Sequence, residues 1–140
     1  MNPEEEFQRY ASLIEYYKNQ LASIENQFSY LQATIMDYSQ AKITLEKLKE
    51  TKKDTEILIP LGGGTFAFGK ANDTSKILTD IGSGIIIQKT PEDAIQTINN
   101  RIETLQRNQD SLTTMSQQIN QQINEISMKA QKILENANKV

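Results

Sequence analysis

The stretch Ile57-Leu58-Ile59-Pro60-Leu61-Gly62-Gly63-Gly64-Thr65-Phe66-Ala67-Phe68-Gly69-Lys70 carries the reading of the fold. Two β-rich runs flank a glycine triplet, which reads as strand, tight turn and return strand. Asn72-Asp73-Thr74 follow as turn residues. A second hairpin comes next, Ile77-Leu78-Thr79-Asp80-Ile81, turn Gly82-Ser83-Gly84, then Ile85-Ile86-Ile87-Gln88-Lys89. Pro60 has no N–H for a ladder, so it belongs at an edge or an irregular position. Two isolated hairpins are marginal in water. Apolar strands of this kind, with three adjacent Ile, need cover from another chain, so the insert reads as an assembly module.

Outward from this insert, composition changes sharply. Residues 56–90 hold all six Gly, whereas 1–55 and 91–140 hold none and have one Pro each, Pro3 and Pro91. Gly and Pro punctuate structure, so the order is long helix, β insert, long helix. Steps of three and four from Phe7 give Phe7, Tyr10, Ile14, Tyr17, Leu21, Ile24, Phe28, Leu31, Ile35, Tyr38, Lys42 and Leu45. Only Lys42 interrupts this seam, where the chain's 37% hydrophobic content would fill about four or five of the twelve positions by chance. In the last segment Ile98, Leu105, Leu112, Ile119, Ile126, Ile133 and Val140 form an unbroken series. Its companion series, Ile95, Ile102, Gln109, Ser116, Ile123, Ala130 and Ala137, is interrupted by Gln109 and Ser116. Heptads sustained this long call for a left-handed supercoil with a partner helix.

Both helices open alike. Asn2-Pro3-Glu4-Glu5 and Thr90-Pro91-Glu92-Asp93 place a capping side chain before Pro at the first helical position, followed by acidic residues suited to the positive end of the dipole. Lys52 and Lys53 suit the far end of the first helix, which is expected to run from about 3 to 54. The second is expected from about 91 to 139. A helix of roughly 50 residues is roughly 75 Å long, far beyond the roughly 14 Å radius of gyration of a compact chain this size. The expected architecture is mainly α with a small β insert. It is one domain over 1–140, with an N-terminal coiled-coil helix (1–55), two β-hairpins (56–90) and a C-terminal coiled-coil helix (91–140). The helices would be antiparallel neighbours, with both chain ends at the tip far from the hairpins.

Composition excludes most chemistry. The chain contains no Cys, His or Trp, which removes thiol nucleophiles, disulfides, thiolate metal sites and the commonest general base. The net charge of −3 argues against a nucleic-acid binder, which needs a basic face. Apolar runs are too short to span a bilayer, and the acidic start Met1-Asn2-Pro3-Glu4-Glu5-Glu6 lacks a signal-peptide pattern, so a cytoplasmic protein is expected. Gly64-Thr65-Phe66-Ala67-Phe68-Gly69-Lys70 matches the phosphate-loop spacing, but Ala71 stands where Ser or Thr should hold Mg²⁺ and a strand rather than a helix follows. The alternation of Phe66 and Phe68 fits one face of a strand. Asn72-Asp73-Thr74 spells a glycosylation sequon and reads as a turn, while Glu4–Glu6 point around a helix rather than converging on a cation.

Residues 108–124 hold twelve Asn, Gln, Ser or Thr and one charge, Asp110. Gln109 and Ser116 in the seam either fix register or loosen the pairing enough to permit flexing. Every aromatic residue lies at or before Phe68. Because seams fray at free ends, Phe7, Tyr10 and Ile14, with Ile133, Leu134 and Val140, would present partly exposed apolar surface, the usual mark of a binding site.

Helix, two hairpins and helix together resemble the α-class subunit of prefoldin; a β-class subunit would have one hairpin. The local resemblance lies in Ile57 to Phe66, in Asp73-Thr74-Ser75-Lys76-Ile77-Leu78-Thr79-Asp80-Ile81-Gly82-Ser83-Gly84-Ile85, and in Gln88-Lys89-Thr90-Pro91-Glu92-Asp93-Ala94. It implies an ATP-independent chaperone, not an enzyme and without cofactor, metal or catalytic residue. Such subunits form a heterohexamer of two α-class and four β-class chains. Their hairpins build an intersubunit β-barrel platform, and their coiled-coil tips hold unfolded client proteins for transfer to a group II chaperonin. Carried onto this chain, the resemblance makes Phe7, Tyr10, Ile14, Ile133, Leu134 and Val140 client-binding. It makes Ile57, Ile59, Phe66, Phe68, Ile77, Ile81, Ile85 and Ile87 assembly residues. The neutral end Asn136-Ala137-Asn138-Lys139-Val140 departs from the family by offering little charge to a chaperonin. The competing expectation is a structural scaffold or filament-forming relative whose rods are passive spacers.

Overall fold

A computed structural model describes residues 2–139. Helix α1 spans Pro3–Lys49, strands β1 (Glu56–Gly62), β2 (Thr65–Lys70), β3 (Ile77–Asp80) and β4 (Ile86–Lys89) follow, and helix α2 spans Pro91–Asn138. Both helix starts are capped as their sequences require. The Glu5 N–H donates to Asn2 Oδ1 (3.0 Å) and the Asp93 N–H to Thr90 Oγ1 (3.2 Å). In the first turn of α2, hydrogen bonding from its own backbone N–H, then from Lys49 (Nζ to Oε1, 3.4 Å), holds the Glu92 carboxyl below its ordinary pKa.

Helix α1 stops at Lys49, five residues short of the sequence expectation, so Lys47 and Lys49 rather than Lys52 and Lys53 occupy its last turn. The cause is tertiary. The last turn tightens through Glu50 N–H to Lys47 O and Thr51 N–H to Leu48 O. Asp54 then takes a left-handed conformation (φ 69°). Its N–H donates to Ala71 O (2.7 Å), while the Ala71 N–H donates to Thr55 O (2.9 Å). Buried Ala71 thus draws residues 54–55 out of the helix, overriding propensity.

The chain divides into two compact units, Met1–Thr34 with Leu105–Val140, and Ile35–Thr104. In the second unit the C-terminal part of α1 lies with the N-terminal part of α2, so the helices are antiparallel. Leu45, Ala94 and Ile98 form its buried centre, with Tyr38, Ala41, Ile77, Ile95 and Ile102 packed around them. Ala94 is 1% exposed, the most deeply buried residue of that cluster. In the first unit Ile24, Leu112, Ile126 and Ala130 are buried, all seam positions read from the heptads.

β1 and β2 pair antiparallel, as do β3 and β4, in two separate two-stranded sheets. Gly63 and Gly64, at φ 59° and 75°, make a two-residue turn between paired Gly62 and Thr65, the geometry that left-handed residues serve. The register shifts between Pro60 and Gly62, the irregularity expected of Pro60. At Gly69 a Cβ would sit 2.9 Å from Ile59 Cδ1, so the bare glycine lets Ile59 lie across the neighbouring strand. Among the described residues no helix is long and apolar enough to cross a membrane.

Candidate interaction surfaces

Pairing register sorts the side chains of the first hairpin. Ile57 opposite Gly69 and Ile59 opposite Ala67 share one face; Leu58 opposite Phe68 and Pro60 opposite Phe66 share the other. The second face is almost bare, Phe68 being 77% exposed. Ile59 on the first face is exposed as well, so both faces of one hairpin carry uncovered apolar side chains. A two-stranded sheet that is apolar on both sides is not a finished structure.

The second hairpin is asymmetric. Ile77 opposite Lys89 and Thr79 opposite Ile87 face the helices, with Thr79 buried and Ile77 packed on the core cluster. Leu78 and Ile86 point outward and are exposed, Leu78 by 74%. Ile81 and Ile85 flank the turn, joined by Ile81 N–H to Ile85 O (2.9 Å), and both are exposed. The structure therefore spreads the eight hairpin residues named from sequence over different faces. Ile57 and Ile59 lie on one face of the first hairpin and Phe66 and Phe68 on the other, and Ile77 is spent on the chain's own core. Sequence reasoning passed over Leu58, Leu61, Leu78 and Ile86, all exposed. Their apolar character at alternate positions was the available signal that neither face is solvent-adapted.

Toward the free ends, cover thins. No described residue of α1 before Ile24 is buried, and none of α2 after Ala130. Phe7, Tyr10, Ile14 and Ile133 are half-buried, and Leu134 is 49% exposed. Tyr10 donates its hydroxyl to Glu6 Oε1 (3.3 Å). Val140 lies outside the described residues. Leu13, half-buried, and the exposed Tyr16 and Met128 belong to the same unit and were not named from sequence.

Between these regions the seam turns polar. Gln109 is buried, and its Nε2 donates to Gln32 Oε1 (2.8 Å); Ser116 is half-buried, and Phe28 at a seam position is exposed. The pair has opposite sensitivities at its two ends. Gln109→Leu extends the apolar seam and frees exposed Gln32 to water, which is expected to stabilise by about 1 kcal/mol. Gln32→Leu strands the buried Gln109 amide, at a cost of about 1–2 kcal/mol. Thermal unfolding followed by helix signal should therefore show melting temperatures moving in opposite directions, by roughly 3–6 °C per kcal/mol.

The phosphate-loop-like residues Thr65–Lys70 form strand β2, with no helix following. No cluster of three or more metal-ligating residues occurs among the described residues.

The family model described as prefoldin subunit matches residues 17–136. The chain is 35% identical over 101 residues to the prefoldin subunit alpha of Methanococcoides burtonii, covering 72% of this chain and 73% of that one. It is 29% identical over 119 residues to the prefoldin subunit alpha of Archaeoglobus fulgidus, covering 85% and 87%. Among solved structures it superposes on a filamentous PFD from Methanocaldococcus jannaschii with TM-score 0.62, at 22% identity over 89% of this chain and 97% of that one. On the prefoldin beta subunit from Thermococcus strain KS-1 the TM-score is 0.58, at 17% identity over 90% of each chain. Two long helices, two hairpins with uncovered apolar faces, and a family match over residues 17–136 agree: it belongs to the prefoldin family, on the side of the archaeal α-class subunits.

Proposed function

We propose that this chain is the α-class subunit of a cytoplasmic, ATP-independent chaperone, working by binding and without catalysis or cofactor. Its hairpins pair with those of β-class subunits in a heterohexamer of two α and four β chains. The platform so built covers Ile57, Ile59, Phe66, Phe68, Ile81, Ile85 and Ile87, with Ile77 anchoring the second hairpin from within. The free helix ends then project Phe7, Tyr10, Ile14, Ile133, Leu134 and Val140 toward unfolded polypeptide. Held clients pass to a group II chaperonin.

The observation that carries this reading is where apolar surface is left open. It concentrates on the hairpins, while the helix ends bury no described residue outward of Ile24 and Ala130 and leave Tyr16 and Leu134 exposed. Covering an exposed client segment there removes apolar area from water at roughly 25 cal/mol per Å². One tip holds weakly; several on one platform multiply the hold through effective concentration. Release then requires only a competing surface.

The test is aggregation of a chemically unfolded client, followed by light scattering without ATP. The chain assembled with a β-class subunit is compared with an assembly in which this chain lacks about ten residues at each end. The intact complex should suppress aggregation and the clipped one should do so poorly at equal assembly. Suppression by neither complex would leave the passive scaffold as the better reading.

A further inference from the structure

Hairpin β3–β4 is attached to the helices at two points along α2. At its root, Lys89 Nζ donates to Thr97 Oγ1 (2.8 Å), and that hydroxyl is oriented to accept because it donates to Asp93 O (3.0 Å). Beside it, Ile77 packs on the core cluster. One helical turn onward, the Arg101 Nη2 donates to the backbone carbonyl of Asp80, at the far end of β3. The same guanidinium lies over the Tyr38 ring of α1, 5.8 Å from its centroid. Ile77 and Asp80 are three residues apart, about 10 Å along a strand. A hairpin held only at its root can swing; one held at two points that far apart has its direction fixed.

The carbonyl that Arg101 takes is not a ladder group. A trans peptide unit points its C=O and N–H in opposite directions. The Ile81 N–H points across the turn to Ile85 O, so the Asp80 carbonyl points away from β4, toward the open edge of β3. Open strand edges recruit other strands unless something blocks them. A planar guanidinium suits this position because it can donate in its plane while its face rests on an aromatic ring, which an ammonium does poorly.

We infer that Arg101 is a positioning residue: it locks β3–β4 against the α1–α2 pair and occupies the outer edge of β3 at Asp80. It thereby fixes Leu78 and Ile86 as the outward face of that hairpin. The consequence for assembly rests on the proposed platform; the clamp itself does not.

Millisecond amide hydrogen exchange on the full chain tests it, comparing the native protein with Arg101→Met and Arg101→Lys. Arg101→Met should speed exchange in β3 and β4, at Ile81 above all, by at least fivefold. Amides of β1, β2 and both helices should keep their native rates, and Arg101→Lys, which keeps charge and helix propensity, should fall between. Unchanged rates in β3–β4 would overturn the clamp. So would uniform acceleration across the chain, which would make Arg101 a general contributor to stability. A titration against a β-class subunit separates the two readings. If β3–β4 loosens in Arg101→Met while assembly is untouched, the clamp stands and this hairpin's part in the platform falls.

Discussion

A chain carrying Phe68→Asp and Ile86→Asp together should fail to assemble with β-class subunits while its helices remain folded. Both side chains stand on outward hairpin faces, 77% and 60% exposed, so replacing them costs the lone chain almost nothing. In a covered platform each would contribute about 1.5–3 kcal/mol of apolar burial, and an unpaired carboxylate in its place adds a desolvation penalty. Two such sites amount to a loss of at least roughly a thousandfold in assembly affinity. Light scattering of the mixed subunits reads the loss, and helix circular dichroism checks the fold. Normal assembly would mean that these faces are not the contact.

The second large effect is expected at the free ends. Phe7→Ser, Tyr10→Ser, Ile133→Ser and Leu134→Ser, combined in one chain, should leave assembly intact, because no described residue outward of Ile24 or Ala130 is buried. Each removes apolar contact of about 1 kcal/mol with a client. Together they should weaken holding at a tip by roughly two to three orders of magnitude, read as lost suppression of client aggregation. Retained suppression would move client binding to the platform cavity or to partner tips.

The helices and hairpins were legible because the governing signals are local or strictly periodic. Seam positions such as Ile24, Leu45, Leu112 and Ile126 are buried where the heptads put them, and Pro60 marks the shifted register. The end of α1 was not legible. Its stop at Lys49 depends on Ala71, twenty-two residues away, capturing the backbone of 54–55. Nor could the faces of the hairpins be told apart. With Ile57, Leu58 and Ile59 adjacent, hydrophobicity does not reveal which side the chain covers for itself. Gln109 was visible as a break in the seam, but its partner Gln32 lies outside the apolar positions and only packing names it. Arg101 left no trace in any pattern, since its acceptor is a backbone carbonyl.

The central claim is that client is held at the helix ends and not along the rods. It is tested most directly by photo-crosslinking from two positions of matched exposure, Leu134 at 49% and Met115 at 48%. A photoreactive side chain is placed at one or the other in the assembled complex, which is then irradiated with a chemically unfolded client and no ATP. The account predicts strong crosslinking to client from position 134 and background levels from 115. Crosslinking from 115 as strong as from 134 would contradict it.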